Sequence, residues 1–298
     1  ERPFVLGPQA PSRAWPEPSR LQQVMSKLAA AKRPVLISGH GVWWSGAEGY
    51  LEEAGRLLGI PVFNIPYHQK LLGEECEAYM GLADIHQYHP SADAFHESDL
   101  VLMVGARLDN QMNFGNPPLF PETTDVVCIN GSHEEIDFNR AADFTLLSDP
   151  GAFLQMLIAE AKVPDFRSDR SWYDLNRQRR AEWVAKMLAD LEREASAPEF
   201  GGRIHPLQLA LDVQQAMGDA DWLVIDGGNT HFWSEIAINL AGFQGKKLGG
   251  MLHPGTFSNR RGEWHRKRTA SSNVLLFLAR EREREKRKRK RKKKRKRK

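Results

Sequence analysis

Continuous apolar runs alternate, along the first half of the chain, with stretches in which apolar residues recur every three or four positions. The runs are PVLIS (34–38), IPVFNI (60–65), DLVLMVG (99–105) and DVVCIN (125–130). Such runs indicate strands buried on both faces, and the stretches between them indicate amphipathic helices. This alternation predicts an α/β fold: a doubly wound, Rossmann-like parallel sheet that forms a domain over residues 16–165.

Several helix ends are marked by single residues. Gly59 predicts the end of the helix before the second strand, because glycine readily adopts the left-handed conformation of a helix C-terminus. Asp149 and Pro150 predict the start of the helix after FTLL (144–147). Pro90, in contrast, predicts that its own segment is not helical.

The second half of the chain has a different organisation. Residues 166–203 predict a charged amphipathic helix and a loop that connect two domains, and residues 1–15 predict a Pro-rich linker. A second, truncated α/β domain is predicted over residues 204–259. It begins with a helix and continues into WLVIDGGNTHFWSEIAINL (222–240), which has the pattern of a strand, a tight loop and a helix.

Composition narrows the class of protein. The hydrophobic fraction of 41% is ordinary for a globular protein, and the absence of any apolar run of about 18 residues predicts that no segment spans a membrane. Cys76 and Cys128 are too few for a disulfide framework, which favours a reducing, cytoplasmic location.

The charge is unevenly distributed. Residues 260–298 contain 21 of the 42 Lys and Arg residues but only 4 of the 38 Asp and Glu residues. This basic tail is predicted to be disordered and to bind nucleic acid only non-specifically. Alternatively, because Glu, Arg and Lys can all be written with purine-only codons, the tail is the translation of a purine repeat that a frameshift or a misjoined gene attached to the domain. The abrupt change of pattern after residue 259 favours this second interpretation.

The loop after the strand of residues 222–225 has the composition of an anion site. Gly227 and Gly228 allow the backbone to approach a ligand, and the N-terminus of the next helix favours an anion. Asn229, Thr230 and His231 supply short donors for phosphate oxygens. The alternative is a simple Gly-Gly turn followed by an ordinary helix cap at Asn229 or Thr230.

Residues 204–233 resemble the start of the thiamine-diphosphate-binding domain of the acetolactate synthase and 2-oxoacid decarboxylase superfamily. In that family a Gly-x-(Asn/Gln)-x-(His/Trp) cluster contacts the cofactor diphosphate, and residues 228–231 are the matching positions. KRPVLISGHG (32–41) and SDLVLMVGARLDNQ (98–111) are similar to the family's central domain. The resemblance covers residues 1–258 and implies thiamine diphosphate as the cofactor.

The resemblance also implies a nucleotide site in the central domain, which holds FAD in acetolactate synthases and ADP or no ligand in relatives. Gly39, His40 and Gly41 match a glycine turn after the first strand. Gly105 and Arg107 match a Gly-x-Arg-x-Asp segment, whose arginine can pair with a diphosphate through two hydrogen bonds.

Several residues depart from the family pattern at that site. Asp84 and Gln87 replace the glycines on either side of His86, and INGS (129–132) replaces an acidic strand end. These departures favour a nucleotide fold that has lost FAD. The neighbouring His86, His89 and His96 are too irregularly spaced to predict a metal site.

By resemblance, the complete protein is a homodimer or homotetramer that decarboxylates a 2-oxoacid and joins it to a second carbonyl. Alternatives are a 2-hydroxyacyl-CoA lyase or an oxalyl-CoA decarboxylase and, from another class, a nucleotide-binding module whose basic tail binds nucleic acid. The family's catalytic Glu lies in an N-terminal domain, and a Gly-Asp-Gly motif holds its Mg²⁺. Neither is found here, so we expect an inactive fragment that supplies no catalytic residue and no metal ligand.

Deleting residues 260–298 tests the interpretation of the tail. We expect the truncated chain to lose its affinity for a DNA duplex, because the rest of the protein is acidic, while its circular dichroism stays that of a folded α/β protein. Binding by the full chain should weaken steeply as salt is raised, since each phosphate contact releases counterions. DNA binding that survives the deletion would contradict this prediction.

Overall fold

The computed structural model describes residues 12–65, 76–86, 88–162, 169–198, 201–217, 222–225, 228–241 and 250–252, which fall into two compact units, Glu1–Ala185 and Lys186–Lys298. The helices are α1 (Pro18–Ala30), α2 (His40–Trp44), α3 (Glu48–Leu58), α4 (His89–Glu97), α5 (Pro150–Ala161), α6 (Ser171–Ala195), α7 (Pro206–Ala216) and α8 (Asn229–Ala241). The strands are β1 (Pro34–Ser38), β2 (Val62–Asn64), β3 (Tyr79–Leu82), β4 (Leu100–Val104), β5 (Asp125–Asn130), β6 (Phe144–Leu147), β7 (Trp222–Val224) and β8 (Gly250–Leu252).

The first unit contains a six-stranded sheet in the order β3-β2-β1-β4-β5-β6, and every pair of neighbouring strands is parallel. The central strands β1 and β4 are buried along their whole length, because helices and loops cover both faces of the sheet. The predicted doubly wound parallel sheet is therefore confirmed. The chain reverses its direction across the sheet between β1 and β4.

Both faces of the sheet are covered. The connection from β1 to β2 runs one way across the sheet and that from β3 to β4 runs the other way, so right-handed crossovers place α3 and α4 on opposite faces. On the first face, α5 packs against α1, α2 and α3. On the other, Phe95 of α4 makes edge-to-face contact with Phe63 of β2, with 5.1 Å between the ring centroids.

Two of the predicted helix ends are confirmed, and one prediction about a proline is wrong. Gly59 adopts the left-handed conformation directly after α3, and the Asp149 carboxylate accepts a hydrogen bond from the Ala152 amide at the start of α5. Pro90, however, lies inside the first turn of α4. A proline is tolerated there because the first helical N–H groups have no partner within the helix.

The first part of α6 carries aromatic side chains that belong to the core of the first unit. The Trp172 indole donates to the Pro34 carbonyl at 3.0 Å, and the Tyr173 hydroxyl donates to the Glu77 carbonyl. Trp183 makes edge-to-face contact with Tyr88, with 4.9 Å between the ring centroids. The domain boundary at residue 165 stays a prediction, but this packing favours a boundary beyond it.

The second unit contains α7, α8 and a two-stranded sheet in which β7 and β8 are parallel. The helix α8 joins these strands, so the segment is a βαβ unit, and α7 packs beside α8. In the part of the chain that the structure describes, no helix combines the length and the apolar character needed to cross a bilayer.

Two tryptophans of the first unit provide a matched test of the role of α6. We expect Trp172→Ala to lower the free energy of unfolding by about 3–5 kcal/mol, because it removes a buried indole and leaves a cavity. Trp44→Ala, at a side chain that is 76% exposed, should change it by less than about 0.5 kcal/mol. Urea unfolding followed by circular dichroism measures both. Equal effects would show that α6 is not part of this core.

Candidate functional site

The candidate cofactor turn lies between β7 and α8 in the second unit. Gly228 has a φ of +78°, a conformation that L-residues with a side chain adopt only with strain, and within the described part of the chain no atom lies within 4 Å of the position that its Cβ would occupy. The glycine is therefore required by the backbone and not by crowding. Gly227, which the sequence also assigns to the site, lies outside the described residues.

Asn229 and Thr230 are exposed at the start of α8. The first amides of a helix have no partner within the helix, and its N-terminus carries a partial positive charge. The Thr230 carbonyl accepts a hydrogen bond from the Ser234 hydroxyl at 2.8 Å, which ties the first turn to the second. An anion approaching this end of α8 therefore meets two short polar side chains and oriented backbone donors.

His231 has a different environment. Its side chain is 3% exposed, and its Nε2 lies 3.2 Å from Oε2 of Glu235, which is fully buried one turn later in α8. The His231 amide donates to the Gly228 carbonyl at 3.1 Å and so closes the first turn. The structure therefore places the His231 ring in the interior, whereas its neighbours Asn229 and Thr230 are on the surface.

His205 also bears on this site, and the sequence pattern did not single it out. Its Nδ1 accepts a hydrogen bond from the Leu207 amide at 3.2 Å, and its Nε2 lies 3.3 Å from a carboxylate oxygen of Glu194. Its ring contacts Trp233 of α8. The one available signal was the position directly before Pro206, which marks a helix start.

The second candidate site lies in the first unit, at the carboxyl ends of β1 and β4, where open α/β sheets commonly bind ligands. The Gly41 amide donates to the Gly105 carbonyl at 2.9 Å. A Cβ on Gly41 would lie 2.7 Å from the Gly105 Cα, and a Cβ on Gly105 would lie 2.7 Å from the Gly41 Cα. Gly39 is packed against Gly105 and Ala106 in the same way. These glycines let two backbone segments touch each other.

The two side chains predicted to contact a nucleotide, His40 and Arg107, are only partly accessible to a ligand. His40 is half-buried at the start of α2. Arg107 lies with Nη1 3.2 Å from a Glu135 carboxylate oxygen, and its guanidinium stacks over the Phe138 ring at 5.1 Å. A diphosphate would have to displace Glu135 from Arg107. These residues, as placed, fit a close backbone crossing better than a bound FAD or ADP.

The acidic residues near these strand ends also have structural partners. Asp84 is buried and accepts a hydrogen bond from the His86 amide at 2.8 Å. Asp109 accepts one from the Gln111 amide at 3.1 Å, and burial raises the pKa of its carboxyl above the usual range. Both carboxylates stabilise turns. Within the described part of the chain, no cluster of three or more His, Cys, Asp or Glu side chains is arranged to hold a metal ion.

A cleft of about 210 Å³ opens beside Arg107. Its lining includes Cys128, Asp137, Phe138 and Arg140. Burial is the main cause that raises the pKa of the Cys128 thiol to about 11, and the nearby Asp137 carboxylate is the second cause. The thiol is therefore neutral near pH 7. Because this volume includes space that is open to solvent, the cleft encloses much less than the pockets of roughly 300–1,000 Å³ that usually hold small ligands.

Comparison with known proteins identifies the class of the first unit. Residues 21–157 match the family described as "Thiamine pyrophosphate enzyme, central domain". The first unit therefore contains a domain of this family, and the resemblance to the thiamine-diphosphate-dependent enzyme superfamily read from the sequence is confirmed. Thiamine pyrophosphate and thiamine diphosphate are the same compound.

Curated relatives have three different names. The chain is 26% identical over 218 residues to a 2-hydroxyacyl-CoA lyase of Arabidopsis thaliana, which covers 71% of this chain and 36% of that protein. It is 27% identical to an acetolactate synthase of Mycobacterium avium, with coverages of 75% and 35%, and 26% identical to an oxalyl-CoA decarboxylase of Escherichia coli K12, with coverages of 72% and 36%. The chain thus spans about a third of the length of these relatives.

Solved structures share the fold. A thiamin diphosphate-dependent enzyme of Mycobacterium smegmatis superposes with a TM-score of 0.57 at 21% identity, covering 85% of this chain and 45% of that one. Benzoylformate decarboxylase of Polynucleobacter necessarius also has a TM-score of 0.57, at 14% identity, with coverages of 83% and 42%. At these identities the likeness concerns the fold alone.

Two glycines of the first unit test the backbone crossing. Gly41→Ala should lower the free energy of unfolding by about 1–3 kcal/mol, because the new methyl group meets backbone that cannot turn away. Gly49→Ala, inside α3 and with no atom near its Cβ position, should raise it by about 0.5–1 kcal/mol. Thermal and urea unfolding measure both. A neutral Gly41→Ala would contradict the crossing.

Proposed function

We propose that this chain supplies the central domain and the diphosphate-binding turn of a thiamine-diphosphate-dependent enzyme that acts on 2-oxoacids, most like acetolactate synthase. The observation that carries the proposal is the start of α8. There Gly228, in a left-handed conformation, is followed by the exposed polar residues Asn229 and Thr230. The family of the central domain and the acetolactate synthase relatives support the same conclusion.

The role of these residues is to hold the cofactor. The backbone N–H groups at the start of α8 and the Asn229 and Thr230 side chains would donate hydrogen bonds to the diphosphate oxygens. When bound, thiamine diphosphate supplies a thiazolium carbon that adds to the carbonyl of a 2-oxoacid. Mg²⁺ would neutralise part of the diphosphate charge, and we assign no described residue of this chain to that ion.

A second candidate function is supported by two of the similar proteins. The 2-hydroxyacyl-CoA lyase and oxalyl-CoA decarboxylase matches favour an enzyme of the same superfamily that acts on acyl-CoA substrates. The two candidates differ in the central domain, where the first would bind FAD and the second ADP. A flavin absorption spectrum of purified protein would favour the first candidate over the second. Because Arg107 is paired with Glu135, we expect neither FAD nor ADP to be retained on purification.

The remaining features of the whole protein are also proposals. We propose a homodimer or homotetramer on the basis of the family resemblance, and a cytoplasmic location on the basis of the two cysteines, Cys76 and Cys128. The nucleic-acid-binding alternative depends on residues 260–298, which lie outside the described residues.

The proposed diphosphate site can be tested by ³¹P NMR titration of thiamine diphosphate with the full chain in the presence of Mg²⁺. We expect saturable shifts of the phosphate resonances with a dissociation constant near a millimolar, since an isolated anion contact is weak. Thiamine without its diphosphate should not compete. Inorganic diphosphate should compete, because the contacts made by α8 are to the phosphates.

A matched pair of glycines serves as the control. Gly228 and Gly201 both have positive φ and free space around the Cβ position, so Gly228→Ala and Gly201→Ala impose similar backbone strain. We expect Gly228→Ala to weaken binding by about tenfold and Gly201→Ala to leave it unchanged. Equal affinities in the two variants, or shifts that thiamine alone abolishes, would rule out the proposed site.

A further inference from the structure

We propose that His205 is a positioning residue that holds the first turn of α8 in the orientation needed to bind a diphosphate. The inference rests on the proposed function, because it concerns the same turn. His205 lies outside that turn, directly before α7, and it is 4% exposed. It would act on the ligand only through the helix that it holds.

The hydrogen bonds of the His205 ring define its protonation state. Nδ1 accepts from the Leu207 amide at 3.2 Å and therefore carries no proton. The ring proton is then on Nε2, which lies 3.3 Å from Oε2 of Glu194 near the end of α6. Both nitrogens are thus engaged, one by the backbone of α7 and the other by a side chain of α6.

The ring also contacts α8. The ring centroids of His205 and Trp233 are 5.3 Å apart, and the planes are inclined at 77°, an edge-to-face arrangement. Trp233 follows Asn229 by one helical turn, so its position fixes the rotation of the start of α8 about the helix axis. A single ring therefore connects α6, α7 and the turn that presents Asn229 and Thr230.

A simpler role for His205 is that of an ordinary cap for α7. The two roles make opposite predictions for two substitutions. In His205→Asn, the side-chain oxygen can still accept from the Leu207 amide, but the ring that contacts Trp233 is lost. In His205→Phe, the aromatic contact with Trp233 is kept, but the cap of α7 is lost.

The experiment measures amide hydrogen exchange of residues 228–241 in the full chain without any ligand, for the wild type and for the Asn, Phe and Ala variants at position 205. We expect exchange in the first turn of α8 to become about tenfold faster in His205→Asn and His205→Ala, and only about threefold faster in His205→Phe, which keeps the ring contact with Trp233 but loses the Glu194 partner. The affinity for inorganic diphosphate, followed by ³¹P NMR, should fall in the same two variants and not in the third.

Two further variants complete the test. Glu194→Ala removes a side chain that is 51% exposed and should fold normally, so we expect a smaller acceleration of the same amides, about threefold. His133→Ala, at an exposed histidine of the first unit, should change nothing.

The outcomes separate the two proposals. Wild-type exchange in His205→Asn together with tenfold faster exchange in His205→Phe would show that His205 only caps α7. Unchanged exchange in Glu194→Ala would also overturn the inference. If the expected exchange pattern is found but the wild type does not bind diphosphate, the positioning of α8 stands and the proposed function fails.

Discussion

The close contact between the backbones that follow β1 and β4 is the constraint on which the first unit depends. Gly41 and Gly105 touch through their Cα atoms and share a hydrogen bond of 2.9 Å, at the point where the chain reverses direction across the sheet. In an open α/β sheet the crevice at this point commonly holds a ligand. Here the backbone itself occupies part of that space, and Arg107 is paired with Glu135. The same glycines that suggest a nucleotide site in the sequence therefore have a structural explanation.

The long helix α6 shows how tertiary packing changes the meaning of a sequence pattern. Its many charged residues favour a solvated connector between domains. Trp172, Tyr173 and Trp183 nevertheless bury their rings in the first unit, and their polar atoms or ring edges have specific partners there. Arg179 of the same helix lies 2.6 Å from a Glu97 carboxylate oxygen at the end of α4. Arg180 of the same helix also lies over the Tyr79 ring of β3, 5.5 Å from its centroid, so the charged residues of α6 take part in packing as well as in solvation.

In the second unit, the candidate cofactor turn combines a local requirement with a tertiary one. Gly228 meets the local requirement, because the turn needs a positive φ. The tertiary requirement is that α8 has a defined rotation about its axis, which the proposed diphosphate site needs, and the contact between His205 and Trp233 supplies a physical means to set it. The burial of His231 against Glu235 adds a second anchor within the same helix.

The sequence by itself determined the parallel α/β class, the family, Gly59 and Asp149 as helix-end residues, and the glycine at the cofactor turn, because these depend on local periodicity and backbone conformation. It did not reveal β3, because this strand is only four residues long and its flanking residues have no clear hydrophobic pattern. It also did not reveal α4, because Pro90 predicts an interrupted helix, whereas the structure places it in the first turn, where a proline is tolerated. The pairing of Arg107 with Glu135, the burial of His231 and the role of His205 were decided by the tertiary structure alone. Each depends on residues brought together by packing, and no spacing along the chain encodes which side chain will meet which.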